Sequence, residues 1–277
     1  MIIIDYNGIA LSNIIVQRLE IQEDLIRHMI LNSIRMYNLK FGKKYGQVVL
    51  ACDASSWRKE VFPQYKFKRK ENRETSSMDW DEVFRIVNLV REEIKENFPY
   101  KVLHVQRCEA DDIIGVLIEE TQNLGKHEEV MIVSADKDFI QLQKYNNVRQ
   151  FSPMTKKFIE HNDVNMYMIE HILRGDSSDG IPNVLSPDNT FVDSLRQSPM
   201  TKKKIELYCD TSNMEDEVYR NYCRNRQLID LSYTPQELKD QIIDESEAYK
   251  LPHASKVLNY LIKKRCKMLI ECVGEFL

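Results

Sequence analysis

Short apolar runs rich in β-branched residues recur along the first half of the chain, at Ile2–Ile4, Val48–Cys52, Val102–Val105 and Val130–Val133, with a weaker one at Val148–Phe151. Runs of this length bounded by polar residues predict buried strands. Between them the apolar positions take helical spacing. From Asn13 to Tyr37 they include Ile14, Ile15, Leu25, Ile26, Met29, Ile30 and Ile34, and from Asp79 to Phe98 they are Trp80, Val83, Phe84, Val87, Val90 and Ile94. Asp79 with Glu82 has the form of a capping box at the second of these starts. A third helix is predicted after Cys108, with Ala110, Ile113, Ile114, Leu117 and Ile118 on one face. Alternation of this kind predicts an α/β fold with a mostly parallel central sheet flanked by helices. Past about Phe158 the strand signal fades and helical segments punctuated by prolines take over. The sequence therefore divides into an α/β domain over residues 1–150 and a mainly helical half over 151–277, with a soft boundary near Tyr145–Lys157.

Composition narrows the chemistry. With 277 residues, 43% hydrophobic and 30% charged, the chain has an ordinary soluble profile and no apolar run long enough to span a bilayer. Met1-Ile2-Ile3-Ile4 meets Asp5 at once, unlike a secretory signal, so a cytoplasmic location is expected. Eight glycines are too few and too scattered for a dinucleotide fingerprint or a P-loop; after Gly175 and Gly180 come Ile181 and Pro182 where Lys and Ser/Thr are required. Six cysteines form no C-x-x-C pair, which fits a reducing compartment, and six histidines form no zinc motif. The net charge of −4 argues at first against a polyanionic partner, but its distribution reverses that. Arg58, Lys59, Lys66, Lys68, Arg69, Lys70 and Arg73 crowd into one stretch, interleaved with Phe62, Tyr65 and Phe67.

The acids collect elsewhere. In an open parallel sheet, ligands sit beyond the carboxyl ends of the strands, so the residues just after each strand converge. Here those residues are Asp5, Asp53, Asp136 and Asp138, and after the third strand Glu109, Asp111 and Asp112 at a helix start. Asp176 and Asp179 add a pair in Gly175-Asp176-Ser177-Ser178-Asp179-Gly180. Carboxylates sharing a crevice repel one another unless cations neutralise them. Oxygen ligands select magnesium, with manganese as a substitute, over zinc. Two such ions ~4 Å apart are the usual apparatus of phosphodiester hydrolysis.

The order Ile4-Asp5, Cys52-Asp53, Glu109-Ala110-Asp111-Asp112, Ser134-Ala135-Asp136-Lys137-Asp138-Phe139 and Gly175-Asp176-Ser177-Ser178-Asp179 resembles the 5′ nuclease (flap endonuclease) superfamily. Within it the chain is most similar to the ribonuclease H group of T-even-like phages, through Ile9-Ala10-Leu11-Ser12, Ile30-Leu31-Asn32-Ser33-Ile34, Phe151-Ser152-Pro153-Met154 and Tyr249-Lys250-Leu251-Pro252. The resemblance implies a PIN-like nuclease fold and a metal cluster of Asp5, Asp53, Glu109, Asp112, Asp136, Asp138 and Asp179. Asp111 and Asp176 fall to the outer shell or a second metal. It implies that Tyr65-Lys66-Phe67-Lys68-Arg69 opens a basic arch, about residues 58–78, for a single-stranded 5′ end. Lys66 and Arg69 would then hold the scissile phosphate, while Arg58, Lys59, Tyr65, Lys68, Lys70 and Arg73 contact nucleic acid. Ile181-Pro182-Asn183-Val184-Leu185-Ser186-Pro187 stands where many relatives carry a glycine-rich, potassium-binding hairpin, so Lys202, Lys203 and Lys204 are expected to help grip the duplex.

The expected activity is a magnesium-dependent 5′ to 3′ exonuclease and flap endonuclease with ribonuclease H activity. It would clear RNA primers and 5′ flaps in lagging-strand replication, acting on forked, flapped or nicked DNA and RNA–DNA hybrid. A single-strand DNA-binding protein and a sliding clamp are partners by analogy, although the clamp signature is missing and Gly274-Glu275-Phe276-Leu277 is its nearest approach. No membrane association is expected, and a monomer is the default. A PIN-type endoribonuclease would share the sheet with fewer carboxylates, and the long basic segment disfavours it. An idle DNA-binding subunit would use the acids for a structural ion. A dehalogenase-like phosphatase fails because Asn7 stands where a second Asp is needed.

Overall fold

A computed structural model of the chain describes residues 1–17, 21–123, 125 and 128–277, without the side chains of Val16, Gln17 and Lys70. The chain opens with strand β1 (Ile2–Asp5), helices α1 (Tyr6–Gln17) and α2 (Glu23–Tyr45) and strand β2 (Val48–Ala51). The basic stretch forms two short helices, α3 (Arg58–Val61) and α4 (Phe67–Glu74). Next come α5 (Trp80–Asn97), β3 (Lys101–Leu103), α6 (Ala110–Glu120), β4 (Val130–Val133), β5 (Val148–Ser152) and β6 (Lys157–Ile159). Six helices follow: α7 (Val164–Arg174), α8 (Lys202–Tyr208), α9 (Asp216–Ile229), α10 (Gln236–Ala248), α11 (Lys256–Lys263) and α12 (Lys267–Ile270).

The strands form one sheet in the order β3-β2-β1-β4-β5-β6, parallel except for β6. Continuous apolar strands such as Ile2-Ile3-Ile4 and Val130-Met131-Ile132-Val133 are fully buried, as strands covered on both faces must be. Register aligns Ile4 with Leu50 on one side and Val133 on the other, and Asp5 with Ala51, so the residues beyond β1, β2 and β4 emerge side by side. Two differences from the sequence reading stand out. The pattern over Asn13–Tyr37 belongs to two helices, because Gln22 is extended and Glu23 and Asp24 occupy a new first turn, where acids favour a helix start. Strand β6 escaped notice because it is a three-residue edge strand with two exposed positions.

The chain packs as two units, each discontinuous in sequence: residues 1–55, 79–160 and 235–277 form the sheet unit, and 56–78 with 161–234 form the second. A single cut near residue 150 does not follow this packing. The last segment is tied into the sheet unit by Lys101 Nζ donating to Ser246 O (2.7 Å) and by Tyr100 OH donating to Phe276 O (2.9 Å). Phe276 is fully buried against Phe98, with ring centroids 5.3 Å apart. The terminal aromatic on which a clamp contact would depend is thus part of the core. In the same unit the buried Arg27 pairs with Glu93 (2.8 Å), and Tyr260 OH donates to Glu93 Oε2 (2.6 Å), joining α2, α5 and α11.

The second unit is built around Phe62, Tyr65, Ile172, Ile181, Leu228 and Ile229. No helix lies between Arg174 and Lys202 among the described residues. Buried backbone there needs partners, and α9 supplies them one turn apart. Asn225 Nδ2 donates to Ile172 O (2.8 Å) and Pro182 O (2.9 Å), and Asn221 Nδ2 donates to Val184 O (3.0 Å). Among the described residues no helix is long and apolar enough to cross a membrane.

Candidate metal centre

The carboxylates of the sheet unit are oriented by the ends of the elements that carry them. Helix α6 begins with backbone N–H groups that have no partner within the helix. Asp112 Oδ2 accepts from Glu109 N (2.9 Å) and Asp53 Oδ1 from Ala110 N (2.8 Å), so acids from two elements answer one helix start. Asp112 is fully buried and Glu109 nearly so. At the end of β1, Asp5 Oδ1 accepts from Gly8 N (2.8 Å) and Oδ2 from Ser134 Oγ (3.0 Å). A Cβ on Gly8 would stand 2.3 Å from Asp5 Oδ2, so this carboxylate position requires glycine there. Ser134 Oγ also accepts from Asp136 N (3.1 Å), and Asp136 Oδ1 accepts from Asp138 N (3.0 Å). Beneath the turn, the buried Gln150 donates to Ser134 O (3.1 Å) and Asp136 O (2.6 Å).

This scaffold brings one oxygen each from Asp111, Asp136 and Asp138 within 4.8 Å of one another. Loss of surrounding water, then the charge of Asp53 and more weakly that of Asp136, pushes the Asp5 carboxyl up to about 7, against the bonds from Gly8 and Ser134. Asp5 and Asp136 meet no cationic side chain among the described residues. The donor set is oxygen only and rich in charge, which fits a hard divalent cation of the magnesium or manganese class. All seven acids expected at the strand ends, Asp5, Asp53, Glu109, Asp111, Asp112, Asp136 and Asp138, belong to this unit.

Asp176 and Asp179 belong to the second unit, where their surroundings differ. Asp179 Oδ2 accepts from Tyr65 OH (3.0 Å) and lies 3.5 Å from Lys66 Nζ, while Oδ1 meets Arg69 at 2.5 Å. Lys66 N donates to Asp179 O (2.7 Å), and Lys66 itself is left-handed at φ 57°, a conformation costing roughly 1 kcal/mol outside glycine. The base of the basic stretch is therefore clamped onto the 176–180 turn. That turn needs Gly175 at φ 65°, where a Cβ would strike Ile181 O at 2.3 Å. Asp176 Oδ1 is filled by Ser178 N and Ser178 Oγ (both 2.7 Å) and Asp179 N (3.2 Å), and His171 Nε2 stands 3.6 Å from Oδ2. Burial opposes its ionisation, but His171, Ser178 and Asp179 together hold its pKa below the usual carboxylate range.

Of the expected nucleic-acid contacts, Arg58 is corrected. It is fully buried, its Nε donating to Leu228 O (2.7 Å), so the core takes it and no ligand can reach it. Tyr65 is likewise buried, as an anchor to Asp179, while Phe67 beside it is exposed. Lys59 and Arg73 are exposed, and Lys68 stands over the Phe191 ring at 5.5 Å. The side chain of Lys70 lies outside the described residues. Lys202 and Lys203 project from the first turn of α8 into solvent, with Lys204 half-buried. Sequence reasoning missed Gly8, Ser134, Gln150 and His171 as supports of the acids. Gln150, a polar residue inside a buried strand, and Ser134, a buried polar residue directly after one, carried a signal.

Comparison with known proteins finds matching family models, relatives and a similar solved structure. Residues 15–170 match the model of the 5′-3′ exonuclease N-terminal resolvase-like domain, and residues 162–276 match that of the T4 RNase H C-terminal domain. Ribonuclease H of Enterobacteria phage T4 is 32% identical over 99% of this chain and 95% of its own length. A 5′-3′ exonuclease of Buchnera aphidicola is 32% identical over 53% of this chain and 50% of its own. In fold, the chain is similar to the zinc-bound T5 5′-exonuclease, with a TM-score of 0.64 at 17% identity over 90% of this chain and 99% of that one.

Proposed function

The chain belongs to the 5′-3′ exonuclease family and is a nuclease, and from that premise we propose that it hydrolyses phosphodiesters at 5′ ends and flaps with two magnesium ions. Its substrates are forked, flapped or nicked DNA and RNA–DNA hybrid, and its role is removal of RNA primers and 5′ flaps in lagging-strand replication. The observation that carries this reading is the trio Asp111, Asp136 and Asp138, converging within 4.8 Å above a frame of backbone donors. Asp5, Asp53, Glu109 and Asp112 complete the acidic wall. When bound, the divalent ions supply activation of water and neutralisation of charge at the leaving oxygen.

The chain's own residues supply position. Gly8 and Ser134 orient Asp5, and Glu109 N and Ala110 N fix Asp112 and Asp53, so the acids keep their geometry against mutual repulsion. Lys66 and Arg69 hold the scissile phosphate and offset its developing charge, a preorganised electrostatic role. Asp179 keeps both cations aimed until a phosphate competes for them. Asp176 serves the second ion or its outer shell through Oδ2, the oxygen facing His171. Lys59, Lys68 and Arg73 line the arch, and Lys202, Lys203 and Lys204 contact the duplex backbone, which carries charge but no sequence information. On this reading the sheet unit carries the strand-end acids, and the second unit supplies Lys66 and Arg69 and grips nucleic acid.

The test is cleavage of 5′-labelled flap, nicked and RNA–DNA substrates. Short products released from the 5′ end, abolished by EDTA, are expected. Internal cuts in single-stranded RNA alone would favour the endoribonuclease reading, and tight binding without cleavage would favour an idle DNA-binding subunit.

A further inference from the structure

One surface of the sheet unit has no part in the nuclease reading. Residues 249–270 carry six Lys or Arg (Lys250, Lys256, Lys263, Lys264, Arg265 and Lys267) and no Asp or Glu, in a chain whose net charge is −4. Lys264 is used internally, pairing with Glu93, and Lys256 Nζ reaches Glu96 O (3.4 Å). The side chains of Lys263, Arg265 and Lys267 are exposed and meet no carboxylate among the described residues. Helix α11 buries Val257, Tyr260 and Leu261. Its outer side presents Leu258 and Ile262 one turn apart, 40% and 55% exposed, and beyond the next turn Met268 is 72% exposed.

We propose that this face docks a protein partner through an acidic segment bearing aliphatic or aromatic side chains. Residues 249–270 carry positive charge only, so an acidic segment is steered to them even though the chain as a whole is acidic. The apolar residues decide between kinds of polyanion. A nucleic-acid backbone is read by cations and hydrogen-bond donors, and Leu258, Ile262 and Met268 would be desolvated against phosphate for no gain. A segment with alternating acids and large apolar groups covers these side chains while its carboxylates reach Lys263, Arg265 and Lys267, giving buried anchors within a charged rim. Only one short helix and a turn offer contact, so the interface is of the small, transient class.

The experiment uses the full-length protein and fluorescein-labelled peptides of sixteen residues in which Asp and Glu alternate with Leu and Phe. A control peptide has every apolar residue replaced by Ser, and a labelled duplex DNA serves as the competing polyanion. Binding is read by anisotropy for wild type, for Ile262→Ser with Met268→Ser, and for Lys263→Glu with Lys267→Glu. All four positions are exposed, so both variants should melt like wild type and cleave flaps at the wild-type rate. The expected result is saturable binding of the acidic apolar peptide, weakened about tenfold or more in each variant, as for loss of an anchor. The Ser control should bind poorly. Absence of saturable peptide binding overturns the proposal, as does equal binding of the Ser control. So does a fall in duplex affinity confined to the charge-reversed variant, which would make the face a nucleic-acid contact.

Discussion

Asp136 and Asp179 are the same residue type, and each sits in a turn that follows a regular element, β4 and α7, yet their partners are of opposite kinds. In the sheet unit, Asp5 and Asp136 accept only from uncharged donors, backbone N–H groups and the Ser134 hydroxyl. In the second unit, Asp179 is met by the Lys66 ammonium, the Arg69 guanidinium and the Tyr65 hydroxyl. Neutral donors fix direction while leaving charge to be compensated from outside; cationic partners compensate it within the protein. The contrast separates acids whose charge is left to be compensated from outside, as the proposed cation site requires, from an acid already paired with the cations at the base of the basic stretch.

The largest effects are expected on neutralising one acid of each group. Asp136→Asn should lower kcat by about 10³-fold, the scale for losing one preorganised electrostatic group, with binding of catalytically inert flap DNA nearly unchanged. Asp179→Asn should cost less, and its deficit should resemble that of Lys66→Ala, a fall in kcat of about 10²-fold with little change in KM. Equal losses at Asp136 and Asp179 would remove the distinction. Gly8→Ala places a Cβ against Asp5 and should weaken magnesium or manganese affinity about 10–100-fold, as loss of an outer support does, measured by calorimetry.

A smaller effect concerns pH. The Asp5 carboxyl titrates near 7 when folded, against an ordinary value of 3.8. A raised carboxylate pKa favours the folded state below about 4, and that contribution is lost as pH rises through 7. Without metal, therefore, this group makes the protein less stable at pH 8 than at pH 5.5. A cation must displace the Asp5 proton below about 7, so the rise in Tm on adding magnesium should grow from pH 6 to pH 8; a constant rise would contradict the assignment. Least in size, replacing Lys202, Lys203 and Lys204 by Ala should weaken duplex binding and flatten its salt dependence without altering single-turnover chemistry.

The sheet and its acids were legible because both rest on short-range pattern. Continuous β-branched runs mark doubly covered strands, and the residue after each run must emerge at the crevice, so Asp5, Asp53 and Asp136 could be read directly. What escaped depended on contacts far apart in sequence. Nothing local in Arg58 distinguishes a phosphate contact from a core residue; the distinction is Leu228 O, 170 residues away. The interleaving of residues 56–78 with 161–234 was hidden for the same reason, since it follows from Phe62 and Tyr65 packing on Ile172 and Leu228. The pairing of Asp179 with Tyr65 and Arg69 lay equally out of view, because these partners are 110 to 114 residues away.

On the proposed reading, the strand-end acids hold the cation on which hydrolysis depends. Its most direct test is the rate of 5′-flap cleavage across a magnesium titration for wild type, Asp111→Asn and Asp136→Asn, each from a chelated start. No cleavage is expected without metal, and a saturable rise is expected for wild type. Both variants should show a depressed plateau and a midpoint moved to higher magnesium. Wild-type curves for both variants would contradict it.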